Sequence, residues 1–307
     1  MLCGLAQAGS GPWVVARGQT DLYVGLDEER ISELAISTGS FAKDDLVPVG
    51  EGLSKLTAKG IVSYGLLPNL ELEAQVPWMT VRANRDDAAL CGALGLQACQ
   101  TTQGLGVLRV RTKWQLWNEL YDKPLSVSVG VETRYGDLTA ATRARLTNLG
   151  EGTFDLGPTL ALGRSGGLGE GGYWYSFLDA GWRYRFPLVV GDVATGEGEY
   201  PRVPGSELYG ELDWIAVPGG KVGIGPAFLW FSRPRGQDFE EVDLTDPDRF
   251  GRLSVLSLEA GGKLTVRSGE KLTLSASVFR TVYAVNNPIS LDMALGLSVT
   301  DLGRRAD

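Results

Sequence analysis

The stretch "LTAKGIVSYGLLPNLELEAQVPWMTV", residues 56–81, decides how this chain folds. In its first half Leu56, Ala58, Val62, Tyr64 and Leu66 share one face. Thr57, Lys59, Ser63 and Gly65 share the other, with Ile61 as the exception. In its second half Leu70, Leu72, Ala74, Val76 and Trp78 alternate with Glu71, Glu73 and Gln75. A period of two is the signature of a strand with unlike faces. Only "LPN" separates the halves, a tight reversal that makes them antiparallel neighbours.

The same alternation recurs outward from this hairpin. Leu125, Val127, Val129 and Val131 alternate with Ser126, Ser128, Gly130, Glu132 and Arg134. Trp174, Leu178, Ala180, Trp182, Tyr184 and Phe186 alternate with Asp179, Gly181, Arg183 and Arg185. Leu208, Leu212 and Trp214 alternate with Glu207, Glu211 and Asp213, and the run from Ile289 to Val299 against Ser290 to Thr300 is the cleanest. The pattern predicts strands over 12–24, 56–67, 69–83, 104–118, 123–136, 152–164, 172–186, 205–217, 220–233, 252–267, 270–284 and 288–301. "ISELAIST", 31–38, is readable as a short helix or an extra strand.

Connection lengths then select the architecture. "LPN", "ELYDK", "SGGLGEGG", "PGGK" and "SGEK" are short, and the connections between them are long, "VNNP" excepted. Long and short connections alternate when one set faces the periplasm and the other faces outward. Strands of twelve to fifteen residues exceed the usual ~5–6 and suit a tilted bilayer crossing. Aromatic residues gather at both strand ends: Trp78, Tyr184, Phe186, Phe228 and Trp230 toward the long loops, Tyr64, Trp114, Trp174 and Trp214 toward the short turns. Two such girdles mark membrane interfaces. The expectation is an all-β protein, a transmembrane antiparallel up-and-down β-barrel of about twelve strands, in the outer membrane of a Gram-negative-type bacterium.

Composition agrees. Apolar residues make up 43% of 307 residues, yet no apolar run exceeds about five, far short of the ~20 that a membrane helix needs. A net charge of -8 argues against nucleic acid as a partner. The absence of histidine removes histidine-based catalysis and the commonest metal ligand. Neither a catalytic set, a metal site nor a cofactor is expected. Residues 1–10 read as the remnant of a signal peptide, with Ala6-Gln7-Ala8 as a cleavage pattern, or as a disordered N-terminus. Residues 11–307 read as one barrel.

The stretch "GLSKLTAKGIVSYGLLPNLELEAQVPW" resembles the outer-membrane barrels of the meta-pathway phenol-degradation transporter family. The resemblance rests on Tyr64-Gly65-Leu66, a short turn, Leu70-Glu71-Leu72 and the pair Pro77-Trp78. It implies a twelve-stranded channel admitting small hydrophobic or aromatic compounds, handled by the barrel assembly machinery. The end, "SVTDLGRRAD", departs from the terminal aromatic residue usual in such barrels.

Several residues follow as candidates. Arg109, Arg111 and Lys113 alternate on one strand and should point into the lumen, because three cations on the lipid face would together cost several kcal/mol. Hairpin register places Arg111 beside Glu132 and Arg185 beside Glu207. Arg134, Arg183 and Glu211 complete the expected pore lining, either as a salt-bridged wall or as a selective constriction. Met79, Phe177, Tyr209 and Phe279 are inward apolar residues able to touch an aromatic permeant or to pack the lumen. Cys91 and Cys99 bracket "GALGLQA" in an outer loop and are read as a disulfide, with free thiols or a metal pair as alternatives. The acidic loop Asp238, Glu240, Glu241, Asp243, Asp246 and Asp248 reads as solvated, or as a divalent site bridging lipopolysaccharide. Outer-membrane lipid and lipopolysaccharide are the expected surroundings. A non-conducting structural or adhesive barrel is the rival to a channel.

Overall fold

A computed structural model describes residues 11–36, 45–83, 101–136, 153–187, 205–234 and 254–302. The strands are β1 (Thr20–Ile36), β2 (Asp45–Leu67), β3 (Leu70–Ala83), β4 (Thr102–Leu105), β5 (Leu108–Trp117), β6 (Ser126–Gly136) and β7 (Thr153–Gly167). They continue as β8 (Tyr173–Pro187), β9 (Glu207–Val217), β10 (Val222–Arg233), β11 (Val255–Ser268), β12 (Leu272–Val285) and β13 (Asn287–Val299). Every ladder between them is antiparallel, and each strand pairs with its sequence neighbours, except that β4 and β5 both pair with β3. The β2–β3 and β1–β13 pairings close the sheet on itself, so the protein is a closed twelve-strand up-and-down barrel.

β4 and β5 count as one wall strand. Both pair with β3, and they are parted at Gly106 and Val107. The break has a steric cause: a Cβ on Gly106 would lie 2.2 Å from the Met79 sulfur. The backbone bends past Met79 and resumes, with Gly106 N–H donating to the Pro77 carbonyl at 2.9 Å. The single strand predicted over 104–118 is therefore interrupted.

The short turns carry the conformations their residues permit. Gly219 (φ 69°) and Gly220 (φ 74°) turn β9 into β10, a left-handed backbone that side chains resist. On the opposite rim Asn286 (φ 49°) alone turns β12 into β13, and asparagine is among the few residues that tolerate it.

The first strand is displaced from its predicted place. Residues 12–24 alternate like a strand, but β1 begins at Thr20 and runs through 31–36, which are neither helix nor an extra strand. Residues 11–19 instead turn back into the barrel. They are held there by a bridge between Arg17 and Gly65, with Gly18 N–H donating to the Gly65 carbonyl at 2.7 Å.

The two faces of the sheet are inverted relative to a water-soluble protein. Leu295 is 66% exposed on the outside, as are Trp78, Trp114, Ile224 and Val278 at half or more, while Arg185 is wholly buried inside. Leucine and tryptophan displayed this way around a closed wall lose several kcal/mol in water and are at home in hydrocarbon. Phe154, Tyr184 and Phe186 form one aromatic cluster at the long-loop end, the last two 4.7 Å apart edge to face. Tyr64, Trp114 and Trp214 lie exposed toward the short turns. Among the described residues no helix is long and apolar enough to cross a membrane; this protein crosses with strands.

Candidate functional site: the lumen

Inside the barrel the odd-numbered residues of β3, β5, β8, β9, β10 and β11 and the even-numbered residues of β6 converge. The side-chain period of two makes this automatic once the apolar set faces lipid. Nearly all the charge of the wall is therefore forced inward, where each group needs a partner or water.

At the short-turn end, residues 11–19 cross a chord of the lumen. The Val15 N–H donates to Glu71 at 2.7 Å, and Lys113, 3.3 Å from Glu71, donates to the Gly11 carbonyl. Trp13 stands edge-on to Tyr175 and Phe177, with ring centres 6.3 and 6.4 Å apart. The wall is shaped to receive this segment. A Cβ on Gly65 would meet the Ala16 carbonyl oxygen at 2.1 Å, and one on Gly163 would meet the Pro12 ring at 2.8 Å.

In the middle of the lumen Arg111 binds Asp179 with both terminal nitrogens, at 2.7 and 2.8 Å. Arg109 donates to Glu73 at 2.5 Å. Lys263 is held by Glu211 and by Asp213, 2.7 Å away, and its ammonium lies about 6 Å from the rings of both Phe177 and Phe279.

Toward the long loops a second network centres on Glu207. Arg183 reaches it at 2.5 Å, Arg185 at 3.1 Å and Arg233 at 2.5 Å. Arg183 also reaches Glu132 at 3.3 Å and lies over the Tyr209 ring, 4.4 Å from its centre. Arg185 in turn is 3.5 Å from Asp155. On the β1–β2 wall Lys55 pairs with Glu29 at 3.1 Å and Lys59 with Asp27 at 3.7 Å.

Arg109, Arg111, Lys113, Glu132, Arg134, Arg183, Arg185, Glu207 and Glu211 thus all face the lumen. The pairing differs from expectation in two respects, the first being that the register partner of Glu207 is Arg183, although Arg185, two residues on, still reaches it. Second, Arg111 and Glu132 are register partners, but the Arg111 guanidinium goes to Asp179, and Glu132 takes Arg183 and Arg109 (3.7 Å) instead. A register fixes Cα neighbours; a long inward side chain is free to choose a carboxylate across the chord. Met79, Phe177, Tyr209 and Phe279 face inward as well. Each has a neighbour already: Met79 at the Gly106 bend, Phe177 under Trp13, Tyr209 under Arg183, and Phe279 beside Lys263. Cys91, Cys99 and the acidic loop 238–248 lie outside the described residues.

Sequence reasoning overlooked Glu71, Glu73, Asp155, Asp179, Asp213, Arg233 and Lys263 as parts of the site, and Trp13 altogether. The carboxylates carried the same inward parity as the arginines and were findable by it. Trp13 gave no such signal, since a lumenal segment and a strand alternate alike.

An apolar belt, two aromatic girdles and a charged interior define the class: an outer-membrane β-barrel. No family model and no curated protein matches the sequence. Among solved structures, the COG4313 outer membrane channel from Pseudomonas putida F1 is similar with a TM-score of 0.62 and 16% identity, over 96% of this chain and 99% of that one. At that identity the likeness establishes the shared fold. The NanC porin (TM-score 0.45, 11% identity, 91% and 98% covered) and the CymD monoaromatic hydrocarbon channel (0.38, 11%, 93% and 88%) are more distant. A likeness that low distinguishes no function.

Proposed function

We propose that this protein is a passive outer-membrane channel for small solutes, with no enzymatic role. The observation that carries the reading is the lumen itself, lined through its middle and its long-loop half by acidic and basic side chains where a merely structural barrel could pack apolar ones. Twelve strands give a bore wider than an eight-stranded barrel, whose interior side chains fill it. Inward rings at Tyr175, Phe177, Tyr209 and Phe279, together with the sequence resemblance around Tyr64-Gly65-Leu66, favour compact solutes with an aromatic or hydrophobic body. Lipopolysaccharide around the outer rim and insertion by the barrel assembly machinery belong to the same reading.

The non-conducting alternative draws on residues 11–19, which occupy part of the lumen at the short-turn end. Planar-bilayer recording separates the two. The purified protein should give discrete conductance steps, larger in Trp13→Ala. Absence of steps in both proteins, each shown to be folded, would leave the non-conducting barrel standing.

A further inference from the structure

The arginines of the outer half of the lumen compete for too few carboxylates, and one of them is left over. Arg183, Arg185 and Arg233 converge on Glu207; Arg183 and Arg109 take Glu132; Arg185 takes Asp155; and Arg109 also takes Glu73. Arg134 lies among them, on the inward face of β6 and half-buried. Its strand neighbour Glu132 and its register partner Asp155 both turn to other cations. Among the described residues Arg134 makes no hydrogen bond and no ion pair. Its register partner on the other side is Arg109, a second guanidinium. Like charges directly opposed across a ladder are unfavourable. Arg109 adds a further feature, for its Nε is buried with no acceptor. Two guanidinium groups facing each other across one ladder, one of them with no carboxylate of its own among the described residues, describe a place for an anion.

We propose that Arg134 and Arg109 form a docking point for the carboxylate of a small permeant, between the middle of the lumen and its long-loop end. This rests on the channel reading and names the class of solute that the channel takes: compact organic acids. A guanidinium presents paired N–H donors that match the two oxygens of a carboxylate, which a neutral or cationic solute of the same size does not offer. Arg134 lies two residues from the long-loop end of β6, and Arg109 faces it across the ladder at the start of β5, from which the wall continues through β4 toward the long loops. Residues 11–19 lie at the other end and leave it uncovered.

The test uses the purified full-length protein in planar bilayers, with benzoate, benzyl alcohol and benzylamine as probes. Benzoate should interrupt the chloride current in a concentration-dependent way, and the other two should not. Arg134→Gln should weaken that block by about tenfold, the loss of one charged hydrogen-bonded contact. Arg134→Lys should recover part of it. Lys55→Gln, which removes the same charge from the Glu29 pair on another part of the wall, should leave the block in place. Equal effects of Arg134→Gln and Lys55→Gln would mean that only the net charge of the lumen matters, and would overturn the docking point while sparing the channel. If the wild type carries no current, the channel reading fails separately. Calorimetric titration of benzoate into the detergent-solubilised protein then decides: binding lost in Arg134→Gln upholds the site, and no binding to the wild type rejects it. Heat-modifiable migration confirms that each variant is folded.

Discussion

Arg111 and Asp179 are joined by a two-pronged ion pair although β5 and β8 are separated by two intervening strands. The wall does not place them together; the chord of the barrel does. With side-chain exposures of 5% and 11%, the pair is shielded from bulk water, and its geometry satisfies both terminal nitrogens and both oxygens. Such a pair is worth little against an apolar substitute, but breaking it by halves is expensive.

Asp179→Asn should accordingly destabilise the barrel by about 3–5 kcal/mol, because it strands a buried guanidinium. Arg111→Met with Asp179→Leu should restore most of that loss. Urea unfolding followed by tryptophan fluorescence measures both. Equal midpoints for the wild type and Asp179→Asn would show that water replaces the carboxylate at no cost.

Glu207 should be the most sensitive carboxylate of the lumen. Glu207→Gln removes the shared partner of Arg183, Arg185 and Arg233 and leaves mutual repulsion behind. Glu211→Gln should cost less, since Lys263 keeps Asp213. The comparison is of unfolding midpoints, with Glu207→Gln lower by the larger margin.

The facing of β13 is testable with two neighbouring residues. Leu295→Arg puts a cation on the lipid face, at a cost of about 2–4 kcal/mol near the midplane, and should impair insertion. Ala294→Arg points inward, opposite Asp27 in the ladder and on the same face as Asp292, and should insert normally. The yield of heat-modifiable protein in outer-membrane fractions reads the difference. Equal yields would contradict the register.

Gly65 has no room for a side chain. Gly65→Val drives two methyl groups toward the backbone of Val15 and Ala16, while its outward neighbours Tyr64 and Leu66 still meet lipid. The variant should fold, expose residues 11–19 to added protease from the short-turn side, and conduct more than the wild type. Unchanged protection of that segment would show that another contact, such as Trp13 against Phe177, holds it alone.

Most of the wall was legible because one rule governs it. Where leucine and tryptophan alternate with arginine and glutamate, as in Trp182-Arg183-Tyr184-Arg185, membrane physics leaves a single orientation. Register followed for Arg111 and Glu132 because a short turn sets the pairing of its own hairpin. Two things escaped. Arg111 with Asp179 depends on the width of the closed barrel, which no local pattern encodes. Residues 12–19 share the rhythm of a strand, and what separates them from one is a glycine far along the chain at position 65 that makes room for them. The break at Gly106 went unread as well, because only the closed sheet sets Gly106 against Pro77.

The lumenal segment runs without a gap into β1, and β1 is one half of the β1–β13 seam that closes the barrel. Leu22 pairs with Val299, so this ladder joins residues from opposite ends of the chain. Contacts of such long range are slow to form. Zipping the seam therefore also draws Trp13 and Val15 to their places, and in an unclosed sheet the β8–β9 pocket for Trp13 has no covalently near occupant. Closing the seam thus seals the wall and fills part of the bore in one step.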